Sequence, residues 1–324
     1  MFPSHLYNLN PTELDALSSR VSGPFSAALH EMIASPHADS LLVELYLPLA
    51  DFLCQRATAH GSTLLVGING AQGAGKSTLC ELLRIVLQYG FDKKAVVVSI
   101  DDLYLTRHER SELARDVHPL LQTRGVPGTH DVDMGLALFD HLQKLGNGEP
   151  LPCPRFDKAR DDRAPRELWP TVTGPVDIVL FEGWCVGALP QPAADLATPV
   201  NSLEQDEDTS GAWRRYVNDR LADYAALFSR LDLLLMLKVP SMQSVFEWRS
   251  LQERKLAARA SGQESNRIMN AEQIRRFIMH YERLTRWMLE EMPQRADLVM
   301  TLNADHCIES VAASGNASPE GGAR

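Results

Sequence analysis

Lys76 and Ser77, which end the octet Gly70-Ala71-Gln72-Gly73-Ala74-Gly75-Lys76-Ser77, carry the plainest chemistry in this chain. The octet fits G-x-x-x-x-G-K-[ST], a spacing that wraps backbone N–H groups around a polyphosphate. Each part answers a physical need. Glycine lets the backbone approach phosphate closely, lysine reaches the β- and γ-oxygens, and the serine hydroxyl is a ligand for Mg²⁺. Thr78 continues into a helix whose N-terminal partial charge favours the same anion. Such a loop needs a strand before it and a helix after it. Thr63 to Ile68 is an apolar run, and Leu79, Leu82, Leu83, Val86 and Leu87 recur at helical spacing, so both are expected. Residues 70–78 therefore read as a nucleoside triphosphate site.

Carboxylates stand at the ends of two further apolar runs. Val96-Val97-Val98-Ser99-Ile100 leads into Asp101-Asp102-Leu103-Tyr104, and Val179-Leu180-Phe181 into Glu182-Gly183-Trp184. In a parallel sheet, ligands sit beyond the carboxyl ends of the strands, which aims these groups at the γ-phosphate. Two roles compete for Asp101 and Asp102: metal binding, as in an ATPase, or acceptance of a proton from a substrate hydroxyl. Glu182 favours a division of labour, with one strand end for metal and the other for base; as a purely structural group it would cap a helix or face solvent. Adjacent carboxylates at a buried edge also demand a positive partner.

Between these runs lie Arg124-Gly125-Val126-Pro127-Gly128-Thr129-His130-Asp131 and Pro154-Arg155-Phe156-Asp157-Lys158-Ala159-Arg160-Asp161-Asp162-Arg163. The first holds enough glycine and proline to form a fixed loop that presents Arg124, Thr129 and His130. The second mixes cations with anions and suits no amphipathic element. Alone, each reads as a solvated loop. Together they offer a place for a small, polar, anionic acceptor.

Positioning these groups calls for an α/β fold. The strand candidates Thr63–Ile68, Ala95–Ile100, Val176–Phe181, Leu231–Leu237 and Asp297–Leu302 are short apolar runs without strict alternation, the mark of strands buried on both faces. Helical segments separate most of them, which predicts a doubly wound parallel sheet flanked by helices. Residues 1–60 are expected to form a helical N-terminal extension, begun by the start signal Asn10-Pro11-Thr12-Glu13. Residues 61–310 would form the nucleotide-binding domain, with an acceptor-binding insertion at about 104–172, where apolar periodicity is sparse, and a lid at about 245–270. After it, a helix starting at Asn270 would bury Ile274, Phe277, Ile278, Tyr281, Leu284 and Met288. The stretch 188–211 reads as a surface loop in which Glu204 to Asp208 is solvated, and 311–324 as a disordered tail.

Composition narrows the function classes. The chain has 324 residues, 44% of them hydrophobic and 23% charged, with a net charge of −10. That excess of acid argues against a general binder of nucleic acid or anionic membrane. Cys54, Cys80, Cys153, Cys185 and Cys307 are scattered without a C-x-x-C pair, which reads as reduced thiols and not as a disulfide framework or zinc site. No secretory signal is visible, and the apolar stretch Leu41 to Cys54 is broken by Glu44, Pro48 and Asp51, so a cytoplasmic location is expected. Composition leaves the oligomeric state open.

The motifs together resemble the D-glycerate 3-kinase family. They are Gly67 through Thr78, Ser99 through Thr106, Arg124-Gly125-x-Pro127-Gly128-Thr129-His130-Asp131, Phe156-Asp157-Lys158-Ala159 and Phe181 through Gly187. That family stands with phosphoribulokinase, uridine kinase and pantothenate kinase among the P-loop kinases, and the likeness spans most of 63–303. The resemblance implies ATP and Mg²⁺, with D-glycerate phosphorylated at its primary hydroxyl to give 3-phosphoglycerate. It implies Asp101 as base, in a motif Asp-small-aromatic-Tyr that ends at Tyr104. Asp102 and Leu103 depart from that pattern and leave open which Asp is the base. Glu182 matches the group's metal-site glutamate, working with Ser77. Trp248-Arg249 matches a Trp-Arg motif, so Arg249 is expected to close over the phosphates beside Lys76. Arg254, Lys255 and Arg259 read as a solvated basic face. The acceptor's carboxylate falls to one or more of Arg124, Lys158 and Arg163, and Tyr104, Thr129 and His130 complete the acceptor pocket. Two other readings stay open: a kinase of the same group acting on a nucleoside or pantothenate-like acceptor, and a nucleotide-dependent switch ATPase.

Overall fold

The five apolar runs become parallel strands, and their burial on both faces is visible residue by residue. The computed structural model describes residues 2–32, 38–259 and 269–314. Its central sheet contains β1 (Leu64–Gly70), β2 (Ala95–Ser99), β3 (Ile178–Gly183), β4 (Leu233–Lys238), β5 (Leu298–Leu302) and β6 (Ile308–Ala313), in the order β6-β5-β4-β1-β3-β2. β1 to β5 run parallel and β6 is antiparallel to β5. Leu64, Val66 and Ile68 of β1 face one apolar layer and Leu65 the other; in β3, Ile178 and Leu180 oppose Val179 and Phe181. Strands packed on both sides need apolar residues at every position, which explains why the sequence shows no alternation there.

Helices supply the two outer layers. They are α1 (Pro11–Met32), α2 (Ala38–Leu41), α3 (Leu47–His60), α4 (Lys76–Phe91), α5 (Arg107–Asp116), α6 (Val132–Lys144), α7 (Ser202–Glu207), α8 (Ala212–Phe228), α9 (Met242–Arg259) and α10 (Ala271–Glu291). α1 begins where its signal predicts: the Asn10 side chain accepts from the Glu13 amide at 3.0 Å, and Glu13 accepts from the Asn10 amide at 2.9 Å. Val21, Phe25 and Leu29 of α1 join Leu47, Leu49 and Leu53 of α3 and Leu79, Leu83 and Val86 of α4 in one layer with the sheet. The N-terminal helices thus complete a face of the core. On the opposite face lie α6, α8 and α10, through residues such as Leu138, Phe139, Tyr224, Leu227, Leu284 and Met288. No helix among the described residues is long and apolar enough to cross a membrane.

Three sequence expectations need correction. The stretch 104–172 contains real helices: α6 buries Leu138, Phe139 and Leu142 at helical spacing, and α5 opens on a Thr106/Glu109 capping box. The stretch 188–211 is likewise structured, and its acidic run is only partly solvated, for Glu204 and Asp208 are 0% and 1% exposed. Glu204 pairs with Arg283 at 2.7 Å and Asp208 with Arg214 at 3.0 Å, which offsets the cost of burying them. Finally, the tail begins later than expected, because residues 308–313 pair with β5 as the edge strand. Residues 315–324 lie outside the described residues.

Candidate active site

The phosphate loop bridges the end of β1 and the start of α4, whose first residue is Lys76. Gly73 takes φ 79°, a conformation that residues with a Cβ rarely adopt. A Cβ there would also stand 3.3 Å from that of Trp248 on α9, so the conformation favours glycine and the tight contact adds to it. The Lys76 ammonium folds back to donate to the Ala71 carbonyl at 3.2 Å. Ser77 Oγ donates to Glu182 Oε1 at 3.0 Å. Sheet register brings that pair together: β3 lies beside β1 with Ile68 opposite Glu182, and β2 lies beside β3 with Ser99 opposite Glu182. A hydroxyl and a carboxylate are hard oxygen donors of the kind Mg²⁺ takes alongside phosphate oxygens, so this pair fits that ion. The glycine-built turn ahead of Lys76 fits a polyphosphate.

Beyond β2 the chain makes a tight turn, Ile100–Leu103, capped by the Ser99 hydroxyl accepting from the Asp101 amide. The turn splits the two carboxylates. Asp102 accepts from the Phe156 amide at 3.0 Å and from Arg155 at 3.4 Å, so it anchors the 154–163 loop. Asp101 instead accepts from the Tyr104 hydroxyl at 2.6 Å and from Lys158 Nζ at 2.7 Å. Their proton affinities diverge accordingly. Burial works against the charge on Asp101, but Lys158 and the Tyr104 hydroxyl hold it below the usual carboxylate range. Burial carries Asp102 above that range despite the Phe156 amide and Arg155. Burial and Asp101 raise the Tyr104 phenol well above its ordinary value, so it stays a donor.

Several hydrogen bonds tie the 124–131 loop to itself and to its neighbours. Thr129, fully buried, donates to the Val126 carbonyl at 2.7 Å and accepts from the Gly125 amide at 3.0 Å, which makes it a fastener of the loop. Trp184 Nε1 donates to the Gly125 carbonyl at 2.7 Å, and the Tyr281 hydroxyl donates to the Arg124 carbonyl at 3.0 Å. A Cβ on Gly125 would collide with that Tyr281 hydroxyl, at a φ of 126°. Arg124 pairs with Asp161 and lies over the Phe156 ring, 5.4 Å from its centroid. Arg163 donates to the Tyr104 carbonyl and to Asp131, both at 3.1 Å, and is 19% exposed. Lys158 is 60% exposed, the most open of the three cations. His130 stacks on Tyr104 and packs edge-on against Tyr224.

On α9, Trp248 and Arg249 lie against the phosphate loop at Gly73. The Arg249 guanidinium pairs with Glu253, bonds Gln252 at 2.8 Å and covers the Phe277 ring. Arg254 is exposed. Residues 260–268, with Arg267 and the far part of the expected lid, lie outside the described residues.

Several supporting residues escaped the sequence reading. Arg110 is 1% exposed and ties α5 to the Leu105, Gln122 and Asp161 carbonyls at 2.7–3.3 Å. Asn69 holds the loop after β3 through the Trp184 and Val186 carbonyls at 3.0 and 2.9 Å. Tyr224 and Tyr281 reach the 124–131 loop from α8 and α10. For Arg110 no local signal exists, because its helix is charged nearly all round.

No family model matches the chain. Individual relatives do. It is 33% identical over 273 residues to a Schizosaccharomyces pombe protein described as an uncharacterized kinase, covering 80% of this chain and 91% of that one. It is 31% identical over 274 residues to the chloroplastic D-glycerate 3-kinase of Arabidopsis thaliana, covering 78% of this chain but only 56% of the plant protein's length. The structure of a D-glycerate 3-kinase from Cryptococcus neoformans shares the fold, with a TM-score of 0.68 at 24% identity over 82% of this chain and 97% of that one. With a phosphate loop on its central strand β1, acidic ends on β3 beside it and on β2 next in order, and these relatives, the chain belongs to the D-glycerate 3-kinase family of P-loop kinases.

Proposed function

We propose that this kinase transfers the γ-phosphoryl group of ATP to the primary hydroxyl of D-glycerate, giving 3-phosphoglycerate. The observation that carries the reading is the convergence at one end of three adjacent parallel strands: the phosphate loop on β1, Glu182 on β3 and Asp101 just past β2, with a lysine 2.7 Å from that Asp. Residues 70–78 hold the triphosphate through backbone amides, and Lys76 swings from the Ala71 carbonyl to the β- and γ-oxygens. Mg²⁺, held by Ser77 and Glu182, would neutralise charge on those oxygens.

Asp101 orients the acceptor hydroxyl and takes its proton. Asp102 is committed to the Phe156 amide, which supports Asp101 as the base. Lys158 is open enough to leave Asp101 for the acceptor's carboxylate, and its departure removes the positive charge that suppresses the base. Docking of the acceptor thus raises the proton affinity of Asp101 at the moment it is needed. Arg124, over Phe156, supplies a second cation with planar geometry suited to a carboxylate. Arg163 is largely spent on Tyr104 and Asp131, so we assign it to holding the loop. Arg249 stabilises charge on the transferring group once it exchanges Glu253 for phosphate. A cytoplasmic location belongs to the same reading, supported by five free cysteines.

ADP release measured across D-glycerate, a nucleoside and pantothenate tests the proposal, with the product identified by phosphorus NMR. Preference for D-glycerate is the expected result. Turnover with another acceptor alone, or steady ATP hydrolysis with none, overturns it.

A further inference from the structure

One nitrogen of His130 is accounted for and the other is not. Nδ1 lies 2.7 Å from the hydroxyl of Tyr224, which reaches it from α8. Nε2 is buried without a hydrogen-bond partner, in a residue that is 6% exposed. The ring stacks on Tyr104 with centroids 4.6 Å apart and planes 26° apart, and Tyr104 holds Asp101 through its hydroxyl. An orphaned polar atom beside the base calls for an explanation.

Hydrogen-bond bookkeeping around Tyr224 decides where the imidazole proton sits. The Gly128 amide can only donate, and it donates to the Tyr224 oxygen at 3.0 Å. The phenol's own hydrogen therefore goes to Nδ1, which accepts it with its lone pair. The reverse arrangement would leave that hydrogen without an acceptor, at a side chain only 1% exposed. Burial also keeps the ring neutral, drawing its pKa down to about 4 against the pull of Asp101. A neutral imidazole that accepts at Nδ1 carries its hydrogen at Nε2.

We propose that Tyr224 is a positioning residue: it fixes His130 in the Nε2–H form and reserves that hydrogen for an oxygen of the bound acceptor. A neutral donor suits this place, because it orders the acceptor without supplying a second cation to compete for Asp101. The inference rests on the acceptor site described under the proposed function.

Long-range proton–nitrogen NMR of the imidazole-labelled enzyme reads the tautomer directly, with His130→Gln identifying the signal among the ten histidines. The Nε2–H form is expected in the unsubstituted enzyme and a shift toward Nδ1–H in Tyr224→Phe. Kinetics supply the second readout. Tyr224→Phe should raise the acceptor KM about tenfold, the worth of one hydrogen bond, while the ATP KM moves less than about twofold. His130→Gln raises the acceptor KM by itself but donates from nearly the same point whatever Tyr224 does. On that background Tyr224→Phe should add less than about twofold, as coupled residues require. An Nδ1–H signal in the unsubstituted enzyme overturns the proposal without any variant. An equal effect of Tyr224→Phe on both backgrounds also overturns it, leaving Tyr224 as a support for Gly128. Failure of D-glycerate to turn over in the unsubstituted enzyme counts against the proposed substrate alone; the spectrum then judges Tyr224, and the KM comparison runs with whichever acceptor reacts.

Discussion

Asp101 and Asp102 are neighbours in the chain and opposites in the fold. One carboxylate faces a phenol and a lysine; the other holds down the backbone of a loop. On that division Asp101→Asn should lower kcat by about 10²–10⁴, the usual contribution of a positioned base, with ADP release as the measurement. Asp102→Asn should act mainly on the acceptor KM, because it frees the Phe156 segment that carries Lys158. The pH profile follows from the same geometry. Asp101 works only when ionised, and Lys158 helps to keep it ionised below the usual carboxylate range. Lys158→Met leaves burial less opposed in the free enzyme, so the acid limb of the kcat/KM profile moves to higher pH. An unmoved limb, measured from about pH 4 to 8, would separate that limb from Asp101. The sequence could not divide the two, because adjacent residues carry the same local signal and only the turn after β2 decides which way each carboxylate faces.

Among the elements, α7 shows how local composition misleads. Its acidic run looks solvated, yet Glu204 is fully buried and met by Arg283, which lies 79 residues away on α10 and bonds it twice at 2.7 Å. Arg283→Met strands a buried charge and should cost about 3–5 kcal/mol in urea unfolding. A loss below about 1 kcal/mol would class the pair with exposed ion pairs. At the phosphate loop the constraint is conformational. Gly73→Ala forces φ 79° on a residue with a Cβ and presses it toward Trp248. It should raise the ATP KM more than the acceptor KM, and the strain alone is worth roughly 1–2 kcal/mol. Equal effects on both KM values would place the damage elsewhere.

Across the whole molecule, the N-terminal helices share a core with the strands that carry the site. Phe25 of α1 is 0% exposed, packs edge-on to Tyr46 at 5.0 Å and belongs to the same apolar layer as β1 and β3. Phe25→Ala should therefore cost about 3–5 kcal/mol and leave a single unfolding transition. Two separated transitions, one sparing nucleotide binding, would mean that residues 1–60 fold apart from the sheet.

The sequence by itself determined what is local or periodic. The phosphate loop, the five buried strands and the helix starts at Asn10 and Asn270 depend on spacing within about a dozen residues, and each lies where the pattern predicts. Strand β6 and helix α6 escaped, one as an edge strand that buries only Val311 and the other inside a stretch rich in charge. Tertiary structure decided the rest: Glu182 beside Ser77, Arg283 on Glu204, and Tyr224 on His130 across 94 residues. Those pairings come from strand order and helix packing. Such contacts reward residues far apart in the chain and leave no periodic trace along it.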